Sequence, residues 1–311
     1  MGSPLAEDLA PVDKRILIIT PVFNEADNIE RTARSVAAQT RAPDLWLVVD
    51  DGSTDGTLEL LSELAAGIPF MRVLSAPQRP EERDSPDKLA LAKEARAFNW
   101  ALAQVDVRTY THVGKLDGDV EPPPHYFERL LEHFAADPQL GLAGGVLDEL
   151  GGQGWRRVKA PAYHVHGATK LYTRECFDAV GGIEERLGWD TIDETYARMR
   201  GYRTRSFDDV AARHHRRWGS ADGRLRGSAR IGECAYIVRY SLPWVLLRTV
   251  KTFKARPYVL SGLWFLSGYL LARARRRPKL EDEEFRRFVR RELRARLLPP
   301  RFRPVAATGG G

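Results

Sequence analysis

Residues 45–66, LWLVVDDGSTDGTLELLSELAA, pass from an apolar run through the turn formers DDGSTDG into a stretch with Leu58, Leu61 and Leu64 on one helical side. A short apolar run rich in β-branched residues and bounded by turn formers is a buried strand, and leucines three apart mark a helix. The order is strand, loop, helix. Upstream it occurs once already. RILIITPV, residues 15–22, is a strand running into Pro21, and NEADNIERTARSVAAQT follows with Asn28 as cap and Ile29, Ala33 and Val36 at helical spacing. Downstream, MRVLSA (71–76) is a third strand, DKLALAKEARAFNWALAQ (87–104) a third helix, and THVGKLDGDVEPPP (111–124) a fourth strand that stops in an acidic turn.

Strands alternating with helices build an α/β domain with a mostly parallel sheet flanked by helices, and ligands in such sheets sit at the carboxyl ends of the strands. The loops after the first, second and fourth strands therefore share one edge. They carry Asn24-Glu25, Asp50-Asp51 and Asp117-Gly-Asp119. Gathering carboxylates at one edge is costly unless a cation or a donor-rich ligand meets them. An Asp-x-Asp at a strand end supplies oxygen ligands of the kind Mg²⁺ and Mn²⁺ take together with substrate phosphates.

The motifs TPVFNEADNIERTARSVAAQT, VVDDGSTDGT and KLDGDV, in that order, resemble the family 2 glycosyltransferases of the GT-A fold, over about residues 15–215. The resemblance implies a Rossmann-like sheet and an inverting transfer of sugar from a nucleoside-diphosphate sugar of UDP, GDP or dTDP type. It implies that Thr20, Pro21, Phe23, Asn24, Glu25, Asp50, Asp51, Gly52 and Ser53 hold the nucleotide, and that Asp117 and Asp119 hold the diphosphate through Mg²⁺ or Mn²⁺. Lys88, Lys93 and Asn99 lie where relatives contact nucleotide or phosphate, and His214 or His215, in ARHHRRWGSADG with Arg216 and Arg217, would complete the cation's shell. Members place the catalytic base in a Glu-Asp pair at a helix start after a Gly-Gly turn. GWDTIDETYARMRG departs from that pattern, offering Asp190, Asp193 and Glu194 without the dipeptide. With Gly182 in the turn and Thr191 as helix cap, Asp193 falls in the first turn and is preferred, then Asp190; Glu194 also reads as an acid meeting the helix dipole. Trp189 is expected either to stack on the acceptor's sugar ring or to serve as a buried anchor.

The net charge of +6 is uneven: from Arg273 onward 13 Lys and Arg face 5 Asp and Glu, leaving the first 272 residues at −2. A basic tail suits an anionic surface. The sixteen residues 257–272, PYVLSGLWFLSGYLLA, are too few to span a bilayer and read as interfacial or buried. EDEEFRRFVRRELRARLL is an amphipathic helix with Phe285, Phe288, Val289, Leu293 and Leu297 on one side. Cys176 and Cys234 suggest neither disulfides nor zinc, and MGSPLAEDLAPVDKR shows neither a secretory core nor a complete acylation signal. The expected organisation is a flexible segment 1–14, a glycosyltransferase domain 15–225 and a basic, aromatic, helical and membrane-associated region 226–311, at the cytoplasmic face of the plasma membrane. The expected acceptor is a glycan or lipid-linked hydroxyl in cell-envelope or extracellular polysaccharide synthesis.

Two other classes compete with this reading. A nucleotidyltransferase of similar architecture needs a Gly-rich, Lys-bearing phosphate loop after the first strand, and TPVFNEADN has no glycine. A nucleic-acid-binding protein would use the arginine-rich tail, but the acidic loops would repel phosphates without a metal, so no nucleic-acid partner is expected.

Overall fold

The computed structural model describes residues 14–78, 92–151, 154–215, 223–254 and 258–297. Lys88, Arg216, Arg217, residues 1–13 and the terminal ATGGG lie outside them. β1 (Ile16–Val22) pairs in parallel with β2 (Leu45–Asp50), which pairs with β3 (Met71–Ser75). Helices α1 (Ile29–Ala37), α2 (Thr57–Gly67) and α3 (Lys93–Leu102) make the crossovers, and β4 (His112–Leu116) joins β1 on its other side, also in parallel.

The sheet then changes character. After β5 (Val120–Glu121) and α4 (Tyr126–Ala136) come β6 (Leu140–Gly151), β7 (Gly154–Arg157) and β8 (Thr169–Thr173), then α5 (Arg174–Val180), α6 (Trp189–Met199) and β9 (Arg203–His214). β8 is antiparallel to β4 and to β6, while β6 and β9 run parallel. The nine-stranded order is β3-β2-β1-β4-β8-β6-β9-β5, with β7 attached to β6.

Both faces of β1 and β2 are buried, which is why they read as unbroken apolar runs. Ile16, Ile18, Trp46 and Val48 pack on one side with α1, α2 and α4; Leu17, Ile19, Leu47 and Val49 pack on the other with Phe98 of α3 and with Trp189. Period-two alternation of side chains divides each strand between the two layers.

Four helices follow: α7 (Arg224–Ile237), α8 (Leu242–Thr252), α9 (Leu260–Ala274) and α10 (Glu283–Leu297). The expected amphipathic helix is α10, whose Phe285, Val289 and Leu293 are buried with Ile192 of α6 and Val238. The α7 and α9 backbones touch. A Cβ added at Gly268 would lie 1.8 Å from the Ala229 carbonyl oxygen, and one at Gly232 1.9 Å from that of Phe265. Neither carbonyl can move without parting the helices. Gly268→Ala is therefore expected to lower stability by about 2–3 kcal/mol, the cost of overpacking, measured as a lower urea midpoint at unchanged slope; an unchanged midpoint would show that the crossing is slack.

Candidate active site

The loops after β1 and β2 brace each other. The Asp50 carboxylate accepts from the backbone amides of Gly52 (3.0 Å) and Ser53 (3.2 Å), closing the DDGS turn. Asn24, at φ 54°, donates its amide to Ser53 Oγ at 2.9 Å, and its Oδ1 accepts from Thr54 N at 2.8 Å. Glu25 is held by Thr57 and accepts from Asn28 Nδ2 at 3.0 Å. Asn28 stands at the α1 cap position but makes no side-chain cap bond. Thr20 lies inside the sheet, its hydroxyl accepting from Trp46 Nε1 at 2.9 Å, so its side chain faces the core rather than the loop edge. Its place in β1 is the reason: alternate residues of a doubly covered strand have no solvent side. Pro21, Phe23, Gly52 and Ser53 are half-exposed along the edge.

Asp51 turns away from this bracing into a cavity of about 280 Å³, which Arg96, Asn99, Trp100 and Glu185 also line. Burial raises its carboxyl above the usual carboxylate range, and Lys93 and Arg96 pull it back. The expected residues Asp51 and Asn99 thus line one cleft, with Lys93 in electrostatic reach of Asp51. The Asn99 side chain donates to Ile183 O (2.7 Å) and Glu185 Oε1 (3.2 Å), which fixes the cavity's far wall.

The acidic turn after β4 is built on Lys115, which is buried. Its ammonium bonds an Asp117 oxygen and the Gly167 carbonyl (3.2 Å), and lies 3.7 Å from Glu94 of α3. A lysine inside a strand survives only with such partners. Burial pushes the Asp117 carboxyl up, against the pull of Lys115. Asp119 Oδ2 is 3.3 Å from His214 Nε2, and His214 Nδ1 is 3.7 Å from Glu149 Oε1, buried and without a hydrogen-bond partner among the described residues. Burial opposes the imidazolium, yet the two carboxylates raise His214 to about 10. His215 goes elsewhere: its Nε2 meets Glu121 Oε2 at 2.8 Å. Successive residues at a strand end point to opposite faces, so His214 joins the acidic turn and His215 does not. Among the described residues no three His, Cys, Asp or Glu side chains converge as a complete metal cage.

The helix that carries the remaining acids starts earlier than its sequence suggests. Gly188, at φ +88°, is the N-cap of α6, and Thr191 is the third helical residue instead of the cap. A left-handed glycine supplies the reversal that no polar cap was needed for. Trp189 then becomes the first helical residue, 5% exposed, with Nε1 donating to Glu94 Oε1 at 2.9 Å and the ammonium groups of Lys115 and Lys170 at 5.0 and 5.2 Å from its ring. It is the buried anchor, with no face left for a sugar.

Asp193 is 1% exposed; Lys170 Nζ lies 2.5 and 2.7 Å from its two oxygens and the Tyr172 hydroxyl donates to it. Burial pushes its carboxyl up while Lys170 opposes. Glu194 is 3% exposed, accepting from Val165 N at 3.2 Å and pairing with His164 Nδ1 at 3.1 Å; His164 and Arg198 hold it down to about 2 against the effect of burial. Asp190 alone of the three is half-exposed. Its backbone carbonyl accepts from Lys170 at 2.6 Å, and its Cβ lies 3.3 Å from where a Cβ on Gly167 would sit.

Reading the sequence missed Glu94, Lys115, His166 and Lys170. The signal for the two lysines was a charge at an inward strand position, in HVGKL and TKLYT. His166, held at about 4 by burial next to His164, lies within electrostatic reach of Glu149 and His214. Its spacing carried no signal, since the loop 158–168 has no period.

Residues 17–83 match the family described as Glycosyl transferase family 2. Over 160 residues the chain is 34% identical to the polyprenol monophosphomannose synthase of Mycolicibacterium smegmatis, covering 49% of this chain and 54% of that one. Over 208 residues it is 27% identical to the succinoglycan biosynthesis protein ExoA of Rhizobium meliloti, covering 60% and 59%. The chain thus spans less than two thirds of either relative's length. Among solved structures it is similar to the mannosyltransferase PcManGT from Pyrobaculum calidifontis in complex with GDP-Man and Mn²⁺, at a TM-score of 0.54 and 21% identity, covering 92% of this chain and 81% of that one. Residues 1–349 of S. aureus TarS in complex with UDP-GlcNAc give 0.53 and 15%, covering 93% and 82%. At these identities the likeness shows the fold, and it is the GT-A fold expected from the motifs.

Proposed function

We propose, from the glycosyl transferase family 2 match over residues 17–83 and the GT-A fold, that the chain moves one sugar, with inversion, from a nucleoside-diphosphate sugar to an acceptor hydroxyl. The observation that carries this reading is the meeting, at one sheet edge, of the Asp51 cleft, the Lys115-supported acidic turn and the half-exposed Asp190. The first turn of α3 joins them: Lys93 and Arg96 act on Asp51, and Glu94 reaches Lys115 and Trp189.

On this reading Asp51 accepts from the base or ribose, with Arg96 and Trp100 as cleft walls. Asp119 and His214, with Asp117 beside them, would hold Mg²⁺ or Mn²⁺. They fit it once the cation displaces the proton that the neighbouring carboxylates keep on His214: one carboxylate oxygen and one imidazole nitrogen are too few for a closed cage, but suit a cation that takes its other ligands from a diphosphate and water. When bound, such a cation neutralises the diphosphate as it leaves. Asp190 takes the proton from the acceptor hydroxyl while that oxygen attacks the anomeric carbon. His166, whose imidazolium is disfavoured by burial next to His164, is the group assigned on this reading to hydrogen-bond a sugar hydroxyl. The donor class is that named for the similar structures, GDP-Man and UDP-GlcNAc with Mn²⁺ in the first. The acceptor is a glycan or a lipid-linked hydroxyl in envelope or extracellular polysaccharide synthesis, as the names of the relatives suggest.

A melting-temperature screen of nucleoside-diphosphate sugars with and without Mn²⁺ tests the reading. At least one donor is expected to raise Tm only when Mn²⁺ is present, because binding to the native state alone stabilises it. Asp119→Asn should remove the Mn²⁺-dependent increment. No shift with any common donor would overturn the reading, and an increment that survives Asp119→Asn would move the cation elsewhere.

A further inference from the structure

The outward face of α8 and α9 has no partner among the described residues, and it is apolar. Leu246, Leu247 and Val250 on α8 are 47%, 49% and 60% exposed; Leu263, Trp264 and Leu271 on α9 are 45%, 40% and 49% exposed. The inward faces of the same helices are occupied by other residues, Val245, Phe265 and Tyr269, which form a buried cluster with α7. Each helix therefore carries large apolar side chains on its uncovered side as well as on its covered one, as helices do when both sides are covered. A patch of this kind on a protein surface marks a contact.

The charge around the face says what covers it. Between Glu233 and Glu281 the sequence has ten Lys and Arg and no acid. Lys251 and Lys254 stand exposed at the end of α8, and Arg273, Arg275 and Arg276 at the end of α9. A second copy of the chain would bring these cations against each other with no acid on either face to answer them. Anionic lipid headgroups answer them directly, with the Leu, Val and Trp side chains entering the acyl boundary. Among the described residues no helix is long and apolar enough to cross a membrane.

We propose that the α8 and α9 face is a docking surface for an anionic lipid bilayer. Through α7 it bears on the site, because Cys234 and Val238 pack against Gly188, the cap of the Asp190 helix. If the transferase reading holds, an acceptor anchored in the bilayer approaches beside Asp190; the binding claim itself stands independently of that reading.

Flotation of the full chain with vesicles tests it. The chain is expected to float with phosphatidylcholine vesicles containing about 30% phosphatidylglycerol and at least about tenfold less with phosphatidylcholine alone. A Leu246→Glu, Leu263→Glu, Trp264→Glu variant and a Lys251→Gln, Lys254→Gln, Arg273→Gln variant should each lose at least about tenfold in partitioning to the anionic vesicles. All altered positions are exposed, and equal melting temperatures would confirm that the variants fold. Failure of the wild type to bind anionic vesicles, or equal binding by the folded apolar variant, overturns the proposal. So does a dimer in light scattering that the apolar variant dissolves while vesicles capture neither protein, which would assign the face to a second copy.

Discussion

Asp190→Asn should lower kcat by about 10³-fold while leaving the Mn²⁺-dependent donor stabilisation in place. The substitution keeps shape and hydrogen-bonding capacity and removes basicity, so it separates proton abstraction from donor binding. The loss should appear in kcat and kcat/KM together, the pattern of an interaction made only in the transition state. Asp193 stood first in the sequence reading, and the comparison between the two acids is therefore the decisive one. The carboxylate of Asp193 is closed off by Lys170 and Tyr172, whereas Asp190 is a half-exposed residue on the first turn of α6. A base must come within hydrogen-bond reach of the proton it takes, and a carboxylate at 1% exposure has no room for an acceptor hydroxyl. If Asp190→Asn keeps more than about a tenth of kcat, it is outside the range general-base loss allows, and the base lies elsewhere.

The strands and the loops at their ends were legible because burial on both faces writes itself as contiguous apolar letters. RILIITPV and LWLVV are β1 and β2 almost to the residue. Which acid of GWDTIDE faces the site was not legible, because it depends on where α6 begins. Gly188 in the left-handed region starts the helix before Trp189, and that shift moves Asp193 out of the first turn and inward. Parity separated His214 from His215 in the same way: one residue along an extended chain changes the face. The resemblance assigns Thr20 to the nucleotide although the strand 15–22 already contains it, and as an alternate residue of a strand covered on both faces its side chain lies in the core. Glu94 and His166 come to the site from separate segments of the chain, and no local pattern announces a contact of that kind. The buried lysines were the overlooked clue, since a charge in a core strand requires a partner that composition alone does not name.

Lys170→Ala should destabilise the fold by about 3–5 kcal/mol, the cost of stranding one member of a buried ion pair. Lys170 is wholly enclosed, and its ammonium holds the Asp193 carboxylate, the Asp190 carbonyl and one side of the Trp189 ring. Removing it leaves the buried Asp193 carboxylate with neutral donors only, the Tyr172 hydroxyl and the Glu194 backbone amide. The double variant Lys170→Met, Asp193→Leu should recover most of that loss, because replacing both charges by apolar groups of similar size removes the desolvation cost with the attraction. A urea titration of wild type, both single variants and the double variant gives the coupling energy directly. The recovered double variant should still transfer sugar more slowly than wild type, since Trp189 and Asp190 then lose the cation that fixes the start of α6. Additive single effects would dismiss the pair as a unit. Full activity in the double variant would show that Lys170 holds the fold and leaves the position of Asp190 to Gly188 and Trp189.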